Sequence, residues 1–303
     1  MIVVAGSANT DLVARVSHHP EAGETLLAAD YAVHQGGKGA NQAVAAARLG
    51  APVRFIGAAG DDDFGDQIVA DLAAEGIDAD GVQRFPGSSG LALITVDEAG
   101  ENRIVVVPGA NGELDGSRDM NGAMGGATVL LVQLETPIAF VNAALAAGRA
   151  AGAEVILNAA PAAPLKAFEM AAVDWLMVNA GEAAFLLGES EGASRDETAD
   201  QAARLASQHN VGVIATLGAD GALWVGDDGA QGHVPGRSCE VVDTTGAGDT
   251  FAGAFAAARL EGRPVEDAIR MAGVAASLAV GAAGARAGMP DRAAVRTAMS
   301  AGE

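Results

Sequence analysis

Asp249 closes the run Val241-Val242-Asp243-Thr244-Thr245-Gly246-Ala247-Gly248-Asp249-Thr250-Phe251. The valine pair reads as the end of a strand, Gly246-Ala247-Gly248 as a turn, and Phe251-Ala252-Gly253-Ala254-Phe255 as the opening of a helix. A glycine turn feeding a helix N-terminus makes an anion site. The first-turn N–H groups lack partners, and the helix dipole adds partial positive charge. Small side chains let a phosphate approach the backbone closely. A carboxylate repels phosphate, so Asp249 suits a different role, that of a base taking a proton from an attacking hydroxyl. Taken alone, the same string is also an ordinary turn before a helix.

A second constellation lies near the N-terminus. Gly36-Gly37-Lys38-Gly39-Ala40-Asn41-Gln42-Ala43 leads into the helical run Val44-Ala45-Ala46-Ala47-Arg48-Leu49, which stops at Gly50. It is not a P-loop, because GxxxxGK[ST] is absent and no Ser or Thr follows Lys38. The chain holds two lysines, Lys38 and Lys166, among 18 basic residues, and one of the two sits in this glycine loop. The plain alternative is a flexible turn before a helix.

The strings DTTGAGDTF and GGKGANQA resemble the C-terminal and N-terminal signatures of the ribokinase-like (PfkB) carbohydrate kinases. The likeness extends over nearly the whole chain and implies a role for each matching position. Asp249 is then the catalytic base, and Gly246, Ala247 and Gly248 form the anion hole. Asn9 and Asp11, in Gly6-Ser7-Ala8-Asn9-Thr10-Asp11 after the first strand, bind sugar hydroxyls; their spacing of two lets both face one side of an extended segment. Gly37, Lys38 and Asn41 meet the sugar from a second side, with Glu135 beside it and Asp249 at its reacting end. Asn179 and Glu182 match the family's Asn-x-x-Glu, tied to Mg²⁺ and phosphate placement through bound water. Thr216, Gly218 and Gly221 lie along the nucleotide with Gly248. Gly273 falls where family members often carry Asn or His near the adenine, so no side-chain contact is expected there. Asp243, Thr245, Ala279, Ala282, Gly284 and Gly288 match an activating K⁺ site, most of them through carbonyls. The resemblance thus implies ATP-dependent phosphorylation of D-ribose at its primary hydroxyl, with ATP, Mg²⁺ and K⁺, and a homodimer formed through a lid.

Several of these residues have other physical uses. Asn and Asp serve turns and caps. Glu135 precedes Pro137 and could complement a helix N-terminus. Asn-x-x-Glu is also a helix-capping arrangement.

The elements that must position these groups alternate along the chain. Apolar strands are expected at 2–5, 53–56, 128–132, 154–157, 175–178, 211–216 and 222–225. Helices are expected at 41–49, 64–75, 137–151, 181–187, 198–209, 250–260, 265–280 and 291–299. Strands apolar throughout, with helices between them, predict an α/β fold: a mostly parallel central sheet flanked by helices, Rossmann-like, with ligands at the C-terminal strand ends. Two stretches, about 12–34 and 88–107, break the alternation. The second carries the hairpin signal Asp97-Glu98-Ala99-Gly100-Glu101-Asn102. They predict a small β lid within a single domain spanning 1–303, with Tyr31 and Phe85 as its aromatics.

Bulk composition narrows the partners. At 303 residues and 50% hydrophobic, the chain can bury a sizeable core, one built with few aromatics (4%) and much alanine. A net charge of −21 disfavours nucleic acid and anionic membranes. ATP remains compatible, since a helix terminus and a cation dominate the field at contact distance. The single cysteine, Cys239, forms no intrachain disulfide and reads as a half-buried small hydrophobe. Met1-Ile2-Val3-Val4-Ala5 enters a strand directly, with no basic leader and no membrane-length apolar run, so a cytoplasmic protein is expected.

Other readings remain at this point. The chain could phosphorylate another sugar, such as a fructose or deoxyribose type, or a nucleoside, although the lid offers little aromatic platform for a base. It could also be a sugar-binding homologue without catalysis. A dinucleotide oxidoreductase is disfavoured, since Gly6-Ser7-Ala8-Asn9 is not G-x-G-x-x-G.

Overall fold

The computed structural model describes residues 1–117, 119–190, 192 and 194–300. Its strands are β1 (Ile2–Ala5), β2 (Asn9–Arg15), β3 (Asp30–Gly36), β4 (Val53–Gly60), β5 (Asp78–Phe85), β6 (Gly90–Val96), β7 (Asn102–Val107), β8 (Val129–Val132), β9 (Glu154–Asn158), β10 (Trp175–Asn179), β11 (Gly212–Thr216), β12 (Ala222–Val225) and β13 (Gln231–Val234). Its helices are α1 (Lys38–Arg48), α2 (Asp63–Ala74), α3 (Met120–Ala123), α4 (Ile138–Ala150), α5 (Ala180–Leu187), α6 (Arg195–His209), α7 (Ala247–Leu260), α8 (Val265–Ala279) and α9 (Arg292–Ser300).

Nine strands form the main sheet in the order β13-β12-β11-β10-β9-β8-β1-β4-β5. The pairs from β11 to β5 are parallel, and only β12 and β13 run antiparallel at one edge. Successive residues of a strand face opposite sides. Ile2, Val4, Val53, Phe55, Val129 and Leu131 therefore enter one core with α1, α7 and α8. Val3, Ala5, Ile56, Leu130, Val132 and Val155 enter the other with α4 and α6. Both faces are covered, which explains why these strands are apolar throughout.

Parallel pairing lines up the C-terminal ends. Ala5 lies opposite Val132, Val132 opposite Leu157, and Asn179 opposite Thr216. At or just past these ends come Ser7, Gln133, Glu135, Asn158, Asn179 and Thr216, so one sheet edge is polar. The second sheet, β3-β2-β6-β7, springs from that same edge. β2 begins shortly after β1, and β3 ends at Gly36, just before α1.

Helix and strand positions follow the sequence pattern closely, with four differences. Val241 and Val242 are not strand. They lie in an irregular segment after β13, each 59% exposed, with Val242 N–H bonded to the Val280 carbonyl instead of a neighbouring strand. Cys239, in the same segment, is exposed rather than half-buried. Phe85 ends β5 of the main sheet, opposite Gly60, so Tyr31 alone of the two aromatics stands on the small sheet. β5 and β13 have no strand signal, because Asp78-Ala79-Asp80-Gly81 and Gln231-Gly232-His233 lack apolar runs; parallel pairing to β4 and a hairpin from β12 recruit them. Among the described residues no helix is long and apolar enough to cross a membrane.

Candidate active site

The site begins with how closely two helices approach. α7 packs on α1 across Gly253, where any Cβ would collide with the Gln42 carbonyl and lie 2.7 Å from Ala45 Cβ. Small residues at this crossing bring the first turn of α1 beside the first turn of α7. Asp249, buried there, accepts hydrogen bonds from Asn41 Nδ2 at 3.1 Å and Gln42 Nε2 at 3.0 Å. Gln42 is itself held: its Nε2 also donates to Asn158 Oδ1 (2.9 Å), and its Oε1 accepts from Gln133 Nε2 (2.6 Å). Burial pushes the Asp249 carboxyl above its ordinary value, and the Lys38 charge and the two amide donors only partly offset this. A buried carboxylate with a raised pKa is a stronger proton acceptor.

Gly246 caps α7 in the left-handed region, φ 78°, where its backbone meets Ala285. Thr250 N–H and Oγ1 both return to the Gly246 carbonyl, and Ala247 N–H bonds Thr244 O. Between them, the N–H groups of Gly248 and Asp249 carry no such bond among the described residues. A Cβ on Gly248 would meet nothing within 4 Å, so the open side of this turn faces a cavity.

Lys38 opens α1 one residue after Gly37, whose φ of 85° excludes a side chain, as does the backbone of Ala8 and Asn9, which any Cβ would meet at 2.7 Å. Glu135 accepts from Lys38 N–H at 3.0 Å and from Ser7 Oγ at 2.6 Å. Burial alone would lower the Lys38 pKa, but the charges of Asp249, Glu135 and Glu182 outweigh it and hold the ammonium protonated. Asn9 is buried, with Oδ1 accepting from Asn111 Nδ2 at 2.8 Å. Asp11 sits two residues on, pressed against Gly36. Burial, with the nearby charges of Glu135 and Asp249, raises its pKa from 3.8 to about 6, while Arg286 pulls it down.

The other half of the site is a cavity of about 250 Å³ between Lys38, Asn158, Asn179, Glu182, Thr216 and Asp249. It shares Asn179 and Thr216 with a wider trough of about 550 Å³ that runs past Gly218 and Asp220. Asn179 and Glu182 do form a reciprocal capping box at the start of α5, with bonds of 2.7 and 2.8 Å. Capping and cavity lining coexist here: one Glu182 oxygen accepts from Asn179 N–H, and the side chain still senses Lys38 and Asp249. Burial raises the Glu182 pKa. Gly218 has φ 59° with open space beside it, whereas Gly221 lets the chain press against Val234 and Gly236. Gly273, mid-α8, also faces open space.

Asp243 and the segment after α8 meet in a third group. Asp243 accepts from Thr245 N–H (2.9 Å) and from Gly284 N–H (2.8 Å), and these bonds keep its pKa low against the opposing effect of burial. Gly284 has φ 89°. Gly288 packs directly on the Ala279 carbonyl. Asp243 and Thr245, before α7, thus face the loop that carries Ala282, Gly284 and Gly288, with Ala279 at the C-terminal end of α8.

Sequence reasoning missed Gln42, Gln133, Asn158, Ser7, Asn111 and Arg286. Each supports another polar side chain, and the one available signal, for Ser7, Gln133 and Asn158, was a polar residue at or just past the end of an apolar strand. No cluster of three or more His, Cys, Asp or Glu residues suited to hold a metal occurs among the described residues.

Comparison with known proteins follows the same lines. The family model described as pfkB family carbohydrate kinase matches residues 1–292. A ribokinase of Schizosaccharomyces pombe is 38% identical over 300 residues, covering 95% of this chain and 94% of the relative. A ribokinase of Bacillus subtilis is 39% identical over 294 residues, covering 96% of each. The solved structure of Arabidopsis thaliana ribokinase, complexed with ribose and ATP, superposes with a TM-score of 0.91 at 32% identity, covering 98% of both chains.

Proposed function

The chain belongs to the pfkB family of carbohydrate kinases, and from that premise we propose that it phosphorylates D-ribose at its primary 5-hydroxyl with ATP, giving ribose 5-phosphate. The observation that carries the chemistry is Asp249: buried in the first turn of α7, held by two amide donors, and opening onto a cavity beside Lys38.

In this reading ribose lies among Asn9, Asp11, Gly37, Lys38, Asn41 and Glu135, with its primary hydroxyl toward Asp249. Each end of the Asn41 amide keeps a further hydrogen-bonding position, so it can hold the base and still meet a sugar hydroxyl. Asp249 accepts the hydroxyl proton as the oxygen attacks the γ-phosphoryl of ATP and the bond to ADP breaks. The free N–H groups of the Gly246–Asp249 turn stabilise the charge on the phosphoryl oxygens. ATP occupies the trough by Asn179, Thr216, Gly218 and Gly221, with Gly273 leaving room on the adenine side. The second sheet acts as the lid, excluding water from the reacting phosphoryl group.

The residues fit the two cations this chemistry uses. Among the described residues the second carboxylate oxygen of Glu182 takes no hydrogen bond at the cavity edge beside Asn179, which suits a Mg²⁺ that retains its waters. A single carboxylate with neutral carbonyls, as in the Asp243 and Ala279–Gly288 loops, suits a monovalent ion such as K⁺. Bound Mg²⁺ supplies charge neutralisation at the phosphates. Ile104, Val105, Val106 and Val107, all exposed on β7, are the surface through which two lids would pair into a homodimer. ATP as donor goes with a cytoplasmic location.

ADP release measured across ribose, deoxyribose, fructose and nucleosides, with ATP, Mg²⁺ and either K⁺ or Na⁺, tests the reading. Ribose turnover that rises with K⁺ is expected. Activity confined to another acceptor would reassign the sugar pocket, and sugar binding without turnover would make the chain a non-catalytic homologue.

A further inference from the structure

Arg286 lies in the loop between α8 and α9 and is almost entirely buried, its side chain 11% exposed. Its guanidinium reaches three different elements. Nε donates to Asn41 Oδ1 at 2.7 Å, one terminal nitrogen donates to the Gly36 carbonyl at 3.1 Å, and the other pairs with Asp71 of α2. Its own carbonyl accepts from Arg48 Nη1 at 2.6 Å, which pins the loop to α1.

The contact with Asn41 matters because a primary amide has two orientations of similar shape and opposite chemistry. With NH₂ toward Asp249 it stabilises the carboxylate; flipped, it would set oxygen against oxygen. An arginine has donors only. Placed on one side of Asn41 it can donate only to the oxygen, which leaves the NH₂ to donate to Asp249 Oδ2. Gln42 takes its orientation from Gln133 and Asn158. Among the described residues, Arg286 is the side chain that donates to the Asn41 oxygen, and it reinforces the orientation that the Asp249 carboxylate selects from the other side.

We propose that Arg286 is a positioning residue for the phosphoryl-transfer base, acting on Asp249 through the Asn41 amide and tying that amide to the glycine loop at Gly36. The proposal rests on the reading of Asp249 as the base.

The pH dependence has a definite direction. Asp249 is faced by Lys38, Asn41 and Gln42 from α1, by Glu135 after β8, by Glu182 from α5 and by Asp11 from β2. Of these, Lys38 and the amides favour its ionised form and the three carboxylates oppose it. Loosening Asn41 removes one favourable contact, so proton release from Asp249 shifts to higher pH.

The test is kcat against pH at saturating ribose for R286Q, R286K, Asn41→Ala and the R286Q/Asn41→Ala double variant, with melting temperatures for each. A hydrogen bond to a charged group corresponds to a loss of about ten- to a hundredfold in kcat for R286Q. Its acid limb should move to higher pH. R286K, which keeps the charge and one donor, should recover part of both, and it carries the same pH measurement should R286Q not fold. Adding R286Q to Asn41→Ala should cost little more, since both act through one contact. An R286Q acid limb at its wild-type position, losses that multiply in the double variant, or R286K as impaired as R286Q with both equally unstable would assign Arg286 a purely structural role and overturn the inference. Asp249→Asn separates the two levels. Near wild-type turnover in that variant overturns the base assignment and this inference with it, whereas an inactive Asp249→Asn beside an unshifted R286Q overturns the inference alone.

Discussion

Asp11→Asn should make the protein more stable and a poorer kinase, in a way that depends on pH. The Asp11 carboxyl is pressed against Gly36, near the charges of Glu135 and Asp249, with Arg286 attracting it. Its pKa stands at about 6 in the fold against 3.8 for the free group. An acid whose folded pKa is raised destabilises the fold as it ionises: the cost is absent below about pH 4 and fully developed above about pH 6. The rise corresponds to about 3 kcal/mol at pH 8 and about 1.6 kcal/mol at pH 5, ceilings that solvent screening of this half-buried group reduces. Asparagine keeps the shape and removes the charge. For a chain of this size each kcal/mol moves the melting temperature by about 2 °C, so Asp11→Asn should melt about 2–6 °C above wild type at pH 8, with roughly half that gain at pH 5. Ribose KM should rise about tenfold or more as an acceptor oxygen is lost. Differential scanning fluorimetry at the two pH values, with steady-state kinetics at pH 8, reads both effects. A variant that melts below wild type by the same amount at both pH values would refute the reasoning, because the carboxylate would then be contributing net stability by contacts insensitive to its charge.

Glu182→Gln keeps the acceptor oxygen that caps α5 and loses only the charge, so its melting temperature should stay within about 2 °C of wild type while half-saturating Mg²⁺ rises several-fold; an unchanged Mg²⁺ requirement would remove Glu182 from the cation's surroundings. Ile104→Asp places a charge amid the exposed Ile104–Val107 stretch of β7 and should convert the proposed dimer to monomer in sedimentation velocity. Sedimentation identical to wild type would place the subunit contact elsewhere or remove it.

The seven inner and apolar strands of the main sheet were readable because burial on both faces writes itself as unbroken apolar runs, with Ala-rich helical stretches between them, whereas β5 and β13 at its two edges were not. The β2–β3 and β6–β7 hairpins announced themselves by interrupting that rhythm. Val241-Val242 misled for the same reason that the other runs informed: an apolar pair looks like strand whether or not a partner strand exists, and here Val242 and Asp243 bond to the Val280 carbonyl instead. In the site, the two glycine-rich strings marked Asp249 and Lys38 because a positive φ at Gly37 and Gly246 and the collision at Gly253 demand those residues. The supports were not legible. Gln133 and Asn158 reach Gln42 from strands distant in sequence, and Arg286 meets Asn41 across 245 positions. Their place at the ends of apolar strands is the one local clue to Gln133 and Asn158, and nothing local distinguishes Arg286 from a surface arginine until the fold brings it to Asn41.

The central claim is that Asp249 takes the proton from the ribose hydroxyl during transfer from ATP. Ribose-dependent ADP release by Asp249→Asn beside wild type, with ribose affinity measured on both, tests it most directly. The account predicts a fall in kcat of about 10²–10⁴-fold, with ribose still bound. A variant that turns over within a few-fold of wild type would contradict it.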